Sequence, residues 1–308
     1  MKRIGLAVLI FLLFTVPARG ENLTLVLDWF PNVDHLPLYV AQEKGFFAEE
    51  GLKINITSPS ESADALKLVA AGRAELGISY EPQALVAASE GVPVLVIGRL
   101  IGHPLSTVLY IKDRGIEKPQ DLNGKLMGYT VAGMEDVLAR AFCELNEIKD
   151  YTLIHIEFAI IPSLVSKRVD SVMGGFRNYE VVELELEGYA PGYFALEEYG
   201  FPDYDELVVI ANPKFAKENK KTISSFRRAL SKAIEISKDT PEEALDHYFK
   251  AVPESDKKLE KRAFEKTLPF YAENQNLEAE RWQAFADFAL QVGLIEHQVD
   301  AKQLLWKD

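Results

Sequence analysis

Short segments with the composition of β-strands alternate with helical segments over the first third of the chain. Apolar and β-branched residues predict strands at residues 23–27, 53–57 and 75–79, and helical spacing predicts helices at residues 36–44 and 62–71. This order favours a parallel sheet, because each helix can return the chain to begin the next strand beside the last. The loops that follow such strands share one edge of the sheet, where ligands bind in open α/β folds. The alternation therefore predicts an α/β fold with a binding edge.

A second alternating unit follows the first. A further strand is predicted at residues 106–112, before this unit begins; the strands of the second unit lie near residues 125–129, 153–158 and 171–173, with helices between them. Residues 69–81 align without gaps with residues 164–176, and in both stretches a helix end leads through an acid, Glu75 or Asp170, into a strand. The similarity predicts two related lobes whose binding edges face each other across a cleft.

The carboxyl-terminal part of the chain is mainly helical. A predicted strand at residues 206–210 is expected to return the chain to the first lobe, and amphipathic helices are predicted over residues 222–238 and 277–293. We therefore expect residues 21–110 and 209–308 to form lobe I and residues 111–208 to form lobe II.

The first twenty residues have the pattern of a secretory signal peptide. Residues 1–3 are basic, residues 4–16 form an apolar stretch of about 13 residues, and small residues lead up to Gly20. A membrane span needs about 20 residues, so we expect cleavage after Gly20 and export to the periplasm. Cleavage lowers the net charge from −13 to −16, because three cations and no acid are removed: Lys2, Arg3 and Arg19. Such a charge disfavours nucleic acid as a partner, and we expect a monomer.

Sequence patterns of catalysis and metal binding are missing from the chain. The Gly-x-Ser-x-Gly, His-Glu-x-x-His and Gly-x-x-x-x-Gly-Lys patterns do not occur. The sole cysteine, Cys143, lies in a helical pattern and is interpreted as part of the core. His35 has no partner at metal-ligand spacing and is interpreted as structural, although contact with a ligand stays open. We predict no catalytic residue, no metal and no cofactor.

Several stretches together resemble the substrate-binding proteins of bacterial ABC importers for thiamine precursors, a superfamily that includes fungal thiamine-pyrimidine synthases. They are LDWFPNVDHLPLYVAQEKGFFAEEGL at 27–52, AAGRAELGIS at 70–79, EGVPVLVIG at 90–98 and LVSKRVDSVMGGFRNYEVVELELEG at 164–188. The likeness covers nearly all of the chain after residue 20, and GGFRNYE at 174–180 is similar to the pyrimidine-importing branch. It implies a two-lobed periplasmic-binding-protein fold of type II, with a parallel or mixed sheet flanked by helices in each lobe. The implied ligand is a formylaminopyrimidine, and the implied partner is an ABC permease in the membrane.

Aromatic, amide and acidic side chains on the predicted edge loops suit such a ligand. An aminopyrimidine has a flat face, on which an aromatic ring can stack, and an edge of alternating donors and acceptors, which an amide can read. Carboxylates can accept from its amino group. The predicted ligand-binding residues are Trp29, Tyr80 and Tyr179 for stacking, Asn32 and Asn178 for the edge, and Asp28, Glu81 and Glu180 as acceptors.

Each of these side chains also has a structural interpretation. Trp29 can be a packing residue, and Asp28 and Asn32 can bond loop amides or cap a helix. Tyr179 and Glu180 can lie at a solvated helix start, where an acid favours the dipole. The acidic run that follows is interpreted as a solvated face, with its contact to ligand left open: Glu183, Glu185 and Glu187.

The resemblance leaves a carrier and an enzyme to be distinguished. The synthases need a lysine that holds pyridoxal phosphate and a nearby histidine. When residues 78–94 are aligned on the shared Gly-x-Pro-Val ending, those positions fall on Ser79 and Gln83. Neither side chain can form a Schiff base or supply an imidazole. We expect a carrier rather than an enzyme; the alternatives are a synthase-like enzyme and a receptor for another small molecule, such as a sulfonate.

Overall fold

The computed structural model describes residues 21–307, so the predicted leader and its cleavage after Gly20 lie outside the described residues. Within this range ten strands form two sheets of five strands each. The strands are β1 (Glu21–Val26), β2 (Leu52–Thr57), β3 (Leu76–Ser79), β4 (Leu95–Ile101), β5 (Ser106–Ile111), β6 (Lys125–Tyr129), β7 (Tyr151–His155), β8 (Ser171–Phe176), β9 (Pro191–Ala195) and β10 (Leu207–Ala211).

Helices flank both sheets. They are α1 (Leu36–Glu43), α2 (Phe46–Glu49), α3 (Asp64–Ala70), α4 (Glu81–Ser89), α5 (Glu135–Leu145), α6 (Ile160–Val165), α7 (Glu180–Leu186), α8 (Pro213–Glu218), α9 (Lys220–Asp239), α10 (Pro241–Ala251), α11 (Lys257–Thr267), α12 (Ala279–Gln291) and α13 (Ala301–Leu304). Short 3-10 helices lie at Val33–His35, Lys112–Arg114, Pro119–Leu122, Leu196–Tyr199 and Leu268–Phe270. In the described range, no helix combines the length and the apolar character that a membrane span requires.

The two sheets have the same plan. The strand order is β2-β1-β3-β10-β4 in the first sheet and β7-β6-β8-β5-β9 in the second. In each sheet four strands run in one direction, and the fourth strand in the order runs antiparallel to both of its neighbours. That antiparallel strand, β10 or β5, is the one that follows a crossover from the other lobe. The structure confirms the predicted fold of two mixed sheets flanked by helices.

The internal sequence similarity has a structural counterpart at the centre of each sheet. Residues 69–81 contain β3 and residues 164–176 contain β8, and both are middle strands. The Glu75 carboxylate accepts a hydrogen bond from the Thr24 N–H at 2.7 Å, and the Asp170 carboxylate accepts one from the Leu126 N–H at 2.9 Å. Glu75 and Asp170 therefore have equivalent roles in the two sheets: each joins the start of the middle strand to its parallel neighbour.

The chain crosses between the sheets at residues 102–105 and again at residues 200–206. Strand β5 belongs to the second sheet, so the first crossover comes before the predicted boundary at residue 110. Strand β10 likewise begins at Leu207, ahead of the predicted return at residue 209. The boundaries differ because β5 and β10 are fully buried apolar runs, whose pattern does not reveal which sheet they join.

The helices after β10 pack against the first lobe, and one of them also contacts the second lobe. Helices α9 and α10 pack against α1, where the rings of Tyr39 and Tyr248 meet edge to face at 5.6 Å. Helix α11 contacts both the 3-10 helix at Val33–His35 and α7 of the second lobe. This helix therefore bridges the lobes beside the cleft.

Glu206 ties the two crossovers together. Its buried carboxylate accepts hydrogen bonds from the N–H groups of Leu105 and Ser106 at 2.6 and 2.8 Å. The hydroxyl groups of Ser106 and Tyr204 also donate to it, at 2.8 and 3.1 Å. Four donors from both crossovers thus converge on one side chain, which fixes the hinge between the lobes.

We predict that Glu206→Gln lowers the free energy of unfolding by about 1–3 kcal/mol. Glutamine keeps one acceptor oxygen but turns an NH₂ group toward the remaining donors, so at least one buried donor loses its partner. Urea denaturation measures the change. Glu198→Gln, at an exposed position of the 3-10 helix that precedes the second crossover, is the matched control, and equal stability of the two variants would contradict the role given to Glu206.

Candidate functional site

A small cavity lies between the lobes, and the space within it that a water molecule can occupy is about 20 Å³, enough for about one water molecule. It is formed where β1, β3, β6 and β8 end, so both sheets present their carboxyl edges to it. The first lobe supplies Asp28, Trp29, Asn32, Asp34, His35 and Tyr80; the second supplies Thr130, Glu135, Ile160, Gly174, Phe176 and Glu180; and Leu207 is the first residue of β10, directly after the second crossover.

Asp28 is held by two side chains of its own lobe. Its Oδ1 atom lies 2.9 Å from His35 Nε2, and its Oδ2 atom accepts a hydrogen bond from the Tyr80 hydroxyl at 2.9 Å. The N–H of Asn32 donates to His35 Nδ1 at 3.4 Å, so the proton of a neutral His35 lies on Nε2 and points at Asp28. Burial, and then the adjacent Asp28, raises the pKa of Tyr80 well above its usual range, so its hydroxyl remains a donor.

Two glutamates of the second lobe line the cavity and are held by hydrogen bonds from backbone N–H groups. Glu135 Oε2 accepts from the N–H and hydroxyl of Thr130 at 2.6 and 2.8 Å and from the Val131 N–H at 3.0 Å. Glu180 Oε2 accepts from the Phe176 N–H at 2.8 Å. Burial raises the pKa of Glu135 to about 7 and that of Glu180 to about 8. Each can therefore accept or donate a proton near neutral pH.

The electrostatic character of the cavity is acidic. Four carboxyl side chains line it, and no lysine or arginine is among its lining residues: the acids are Asp28, Asp34, Glu135 and Glu180. Burial raises the pKa of Asp34 to about 7. Among residues 21–307, no three or more histidine, cysteine or acidic side chains are arranged to hold a metal ion. The arrangement suits a ligand with N–H donors and opposes an anion.

Trp29 joins the lobes at the mouth of the cavity. It belongs to the loop after β1, yet it packs against a hydrophobic cluster of the second lobe that includes Ile160. Its ring meets that of Phe158 edge to face, with centroids 4.5 Å apart. The exposed Phe30 ring contacts Phe158 as well, at 4.9 Å. Trp29 thus combines the packing role and the cavity position that the sequence left as alternatives.

Five of the eight predicted ligand residues line the cavity, and three do not. Glu81 is buried beneath it, where its Oε2 atom accepts from the Asp205 N–H at 2.7 Å. Asn178 donates to Asp34 at 2.6 Å and to Thr267 at 2.7 Å from behind the cavity wall. Tyr179 lines a neighbouring depression and donates to Glu260 at 3.0 Å. All three lie at the expected sheet edges, but their side chains turn toward the crossover or toward helix α11.

His35, whose contact with a ligand was left open, also lines the cavity. The other lining residues were not predicted from the sequence. Thr130 and Glu135 follow β6. They could have been predicted, because the residues that follow a parallel strand lie at the binding edge of its sheet. Phe176 was missed because β8 was predicted to stop at Met173, whereas the strand continues to Phe176. Asp34 follows the same strand as Asp28, which was predicted to bind ligand. No sequence pattern indicates that Asp34 also reaches the cavity.

Comparison with known proteins gives close relatives. The family model described as NMT1/THI5 like matches residues 32–244. A protein of Haemophilus influenzae named for thiamine biosynthesis is 37% identical over 95% of this chain and 94% of its own length. The formylaminopyrimidine-binding protein of Halalkalibacterium halodurans is 35% identical over 73% of this chain and 69% of its own length. A 4-amino-5-hydroxymethyl-2-methylpyrimidine phosphate synthase of Uromyces fabae is 26% identical over 89% of this chain and 84% of its own length.

Solved structures share the fold at low sequence identity. The alkanesulfonate-binding protein SsuA of Xanthomonas axonopodis pv. citri, bound to MOPS, has a TM-score of 0.74 and 16% identity, over 94% of this chain and all of that one. The periplasmic nitrate-binding protein NrtA of Synechocystis PCC 6803 has a TM-score of 0.68 and 14% identity, over 92% and 84% of the two chains. These similarities establish the architecture of a periplasmic binding protein.

Gly174 is required by the position of Glu135. Its φ is +93°, and a Cβ atom added there would lie 2.0 Å from Glu135 Oε1. We predict that Gly174→Ala lowers the free energy of unfolding by about 2–5 kcal/mol, of which about 1–2 come from the left-handed backbone and about 1–3 from overpacking. Gly133→Ala is the matched control, since Gly133 has φ +83° with open space around its Cβ position. Thermal unfolding that gave equal losses for both variants would contradict the contact with Glu135.

The raised pKa of Glu135 predicts a pH-dependent stability. In the folded state this carboxyl keeps its proton above pH 4.5, where the unfolded chain has lost it, so its contribution is present at low pH and is lost as pH rises through about 7. Relative to Glu135→Gln, the wild-type free energy of unfolding should therefore fall between about pH 4.5 and 7, by up to about 1.4 kcal/mol per pH unit. Urea denaturation of the ligand-free protein across this range measures the difference. Glu144→Gln, an exposed glutamate of the same helix, is the matched control; a pH-independent difference for Glu135→Gln would contradict the prediction.

Proposed function

The chain belongs to the NMT1/THI5-like family, and we propose on that premise that it captures a thiamine-related pyrimidine of the formylaminopyrimidine type and delivers it to an ABC permease. The solute-binding role follows from its relatives and its fold. The pyrimidine is proposed because the relative that is 35% identical is named for binding formylaminopyrimidine.

The observation that carries the proposal is the set of four buried carboxyl groups around the cavity. A 4-aminopyrimidine presents an amino donor beside ring-nitrogen acceptors. An ionised carboxylate accepts from the amino group, and a carboxyl that is protonated near neutral pH, such as Glu180, donates to a ring nitrogen. Trp29 from the first lobe and Phe176 from the second supply flat faces for the ring.

The same carboxyl groups oppose an anionic ligand. Receptors for sulfonate and nitrate share this fold, yet a buried anion needs a paired cation or a set of donors. The lining residues include no lysine or arginine, so a sulfonate would lie against carboxyl groups. This argues against the sulfonate alternative.

A carrier is also favoured over a synthase. Ser79 and Gln83 occupy the positions where the synthases are expected to carry lysine and histidine. The Ser79 hydroxyl donates to Gln83 Oε1 at 2.6 Å, and neither residue lines the cavity. Without a lysine amine at this position, the chain lacks the group that would bind pyridoxal phosphate.

An extracytoplasmic location agrees with the carrier role. Relatives with this fold include periplasmic binding proteins, and the leader pattern of residues 1–20 supports export. Cleavage after Gly20 and the identity of the permease are part of the proposal.

Calorimetry on the chain from residue 21 onward tests the function. We expect binding of 4-amino-5-aminomethyl-2-methylpyrimidine and its N-formyl derivative, and no binding of taurine or nitrate. Trp29→Ala and Phe176→Ala should each weaken pyrimidine binding by about 1–3 kcal/mol through loss of stacking.

Tyr189→Ala, which removes an exposed aromatic ring of the second lobe, is the control and should leave affinity unchanged. Tighter binding of an anion than of either pyrimidine would overturn the proposed function. Unchanged affinity in both cavity variants would show that the ring binds elsewhere.

A further inference from the structure

Asp34 carries an unsatisfied oxygen at the cavity. Its side chain lines the cavity and is 0% exposed to solvent. The Oδ1 atom accepts hydrogen bonds from Asn178 Nδ2 at 2.6 Å and from the Thr267 hydroxyl at 3.2 Å. The Oδ2 atom has no hydrogen-bond partner among residues 21–307. The side chain is therefore half satisfied.

The other acids around the cavity are placed differently. Both oxygens of Asp28 are engaged, one by His35 and the other by Tyr80. Glu135 and Glu180 are each anchored through Oε2 to backbone N–H groups. A buried acceptor without a partner costs about 1–3 kcal/mol, and more when it is charged. An incoming N–H donor would therefore gain most at Asp34 Oδ2.

The partners of Asp34 come from different parts of the fold. Asp34 lies in the 3-10 helix of the first lobe, and Asn178 follows β8 in the second lobe. Thr267 is the last residue of α11, the helix that bridges the lobes. One carboxyl group thus lines the cavity, has a free acceptor in Oδ2, and is bonded to the opposite lobe through Oδ1.

We propose that Asp34 selects the ligand and couples its binding to closure: Oδ2 accepts an N–H donor of the ligand while Asn178 of the second lobe holds Oδ1. The inference rests on the proposed function, which it deepens by naming the specificity-determining residue. The bond to Asn178 exists only when the lobes are together. A ligand donor that fixes the Asp34 side chain therefore binds the closed state better than the open state, which shifts the population toward closure.

Asp34→Asn is designed to replace the free acceptor, Oδ2, by a donor. Asparagine can keep an oxygen for Asn178 and place an NH₂ group where Oδ2 lies, so it opposes an amino group and accommodates a carbonyl. The measurement is the ratio of calorimetric affinities for a 4-aminopyrimidine and its 4-oxo analogue. We expect this ratio to fall at least about tenfold, because a site built for one hydrogen-bond pattern rejects its mismatch.

Asp34→Val is a second variant that tests the same role without the ambiguity of an amide. Two adjoining amides could rotate together in Asp34→Asn and restore an acceptor, whereas valine offers no polar atom in any rotamer. We expect the amino ligand to lose at least about tenfold in affinity, and the oxo analogue to change less. Thermal unfolding without ligand establishes that each variant is folded.

Asn178→Ala is the matched control, because it removes the contact between the lobes and leaves Oδ2 in place. It should weaken both pyrimidines by the same factor and keep their ratio. Small-angle scattering should show less compaction on ligand addition than in the wild type. A changed ratio in Asn178→Ala, or unaltered compaction, would overturn the division of roles between the two oxygens.

The outcomes separate this inference from the proposed function. A wild-type protein that binds no aminopyrimidine contradicts the function itself. A wild-type protein that prefers the amino ligand, together with Asp34→Asn and Asp34→Val variants that both keep the wild-type ratio, contradicts only the role of Asp34. A reduced ratio in both variants supports it.

Discussion

Four carboxyl groups are buried between the lobes, and no lysine or arginine lies beside them among the residues that line the cavity. The surrounding structure therefore has to supply hydrogen-bond donors to them. A buried acid must be hydrogen-bonded or hold its proton. In the first lobe the side chains of Tyr80 and His35 bond Asp28. In the second lobe backbone N–H groups at the ends of β6 and β8 donate to Glu135 and Glu180. Because these donors come from the loops that follow the strands, the chemistry of the cavity depends on the sheet edges.

The sequence predicted best what depends on local pattern. The alternation of strands and helices, and the similarity of residues 69–81 to residues 164–176, were enough to predict two related sheets and a cleft between their edges. Asp28 and Trp29 could be found because a loop after a strand must lie at that edge. Strand β4 was not predicted, since Gly98 and Arg99 interrupt its apolar run; Arg99 is buried there because Asp205 accepts from its Nε atom at 2.8 Å.

What could not be predicted depends on contacts across the fold. Glu81 and Asn178 lie at the expected sheet edges, but the direction of each side chain is decided by partners distant in sequence, here Asp205 and Asp34. The crossovers were misplaced for the same reason, since a fully buried strand fits equally well in either sheet until its neighbours are known. Sequence pattern therefore locates the cavity, whereas tertiary contacts decide which side chains enter it.

The antiparallel strand in each sheet bears on how the molecule can be assembled. The first sheet needs β10 between β3 and β4, and β10 comes after every strand of the second sheet in the chain. As the chain emerges from its amino terminus, the first lobe is left with two unpaired strand edges until about two thirds of the residues have appeared. Unpaired edges invite association with other chains, so this architecture creates a long interval in which the nascent chain needs protection, and it lets the amino-terminal lobe finish folding only after the second lobe has been made.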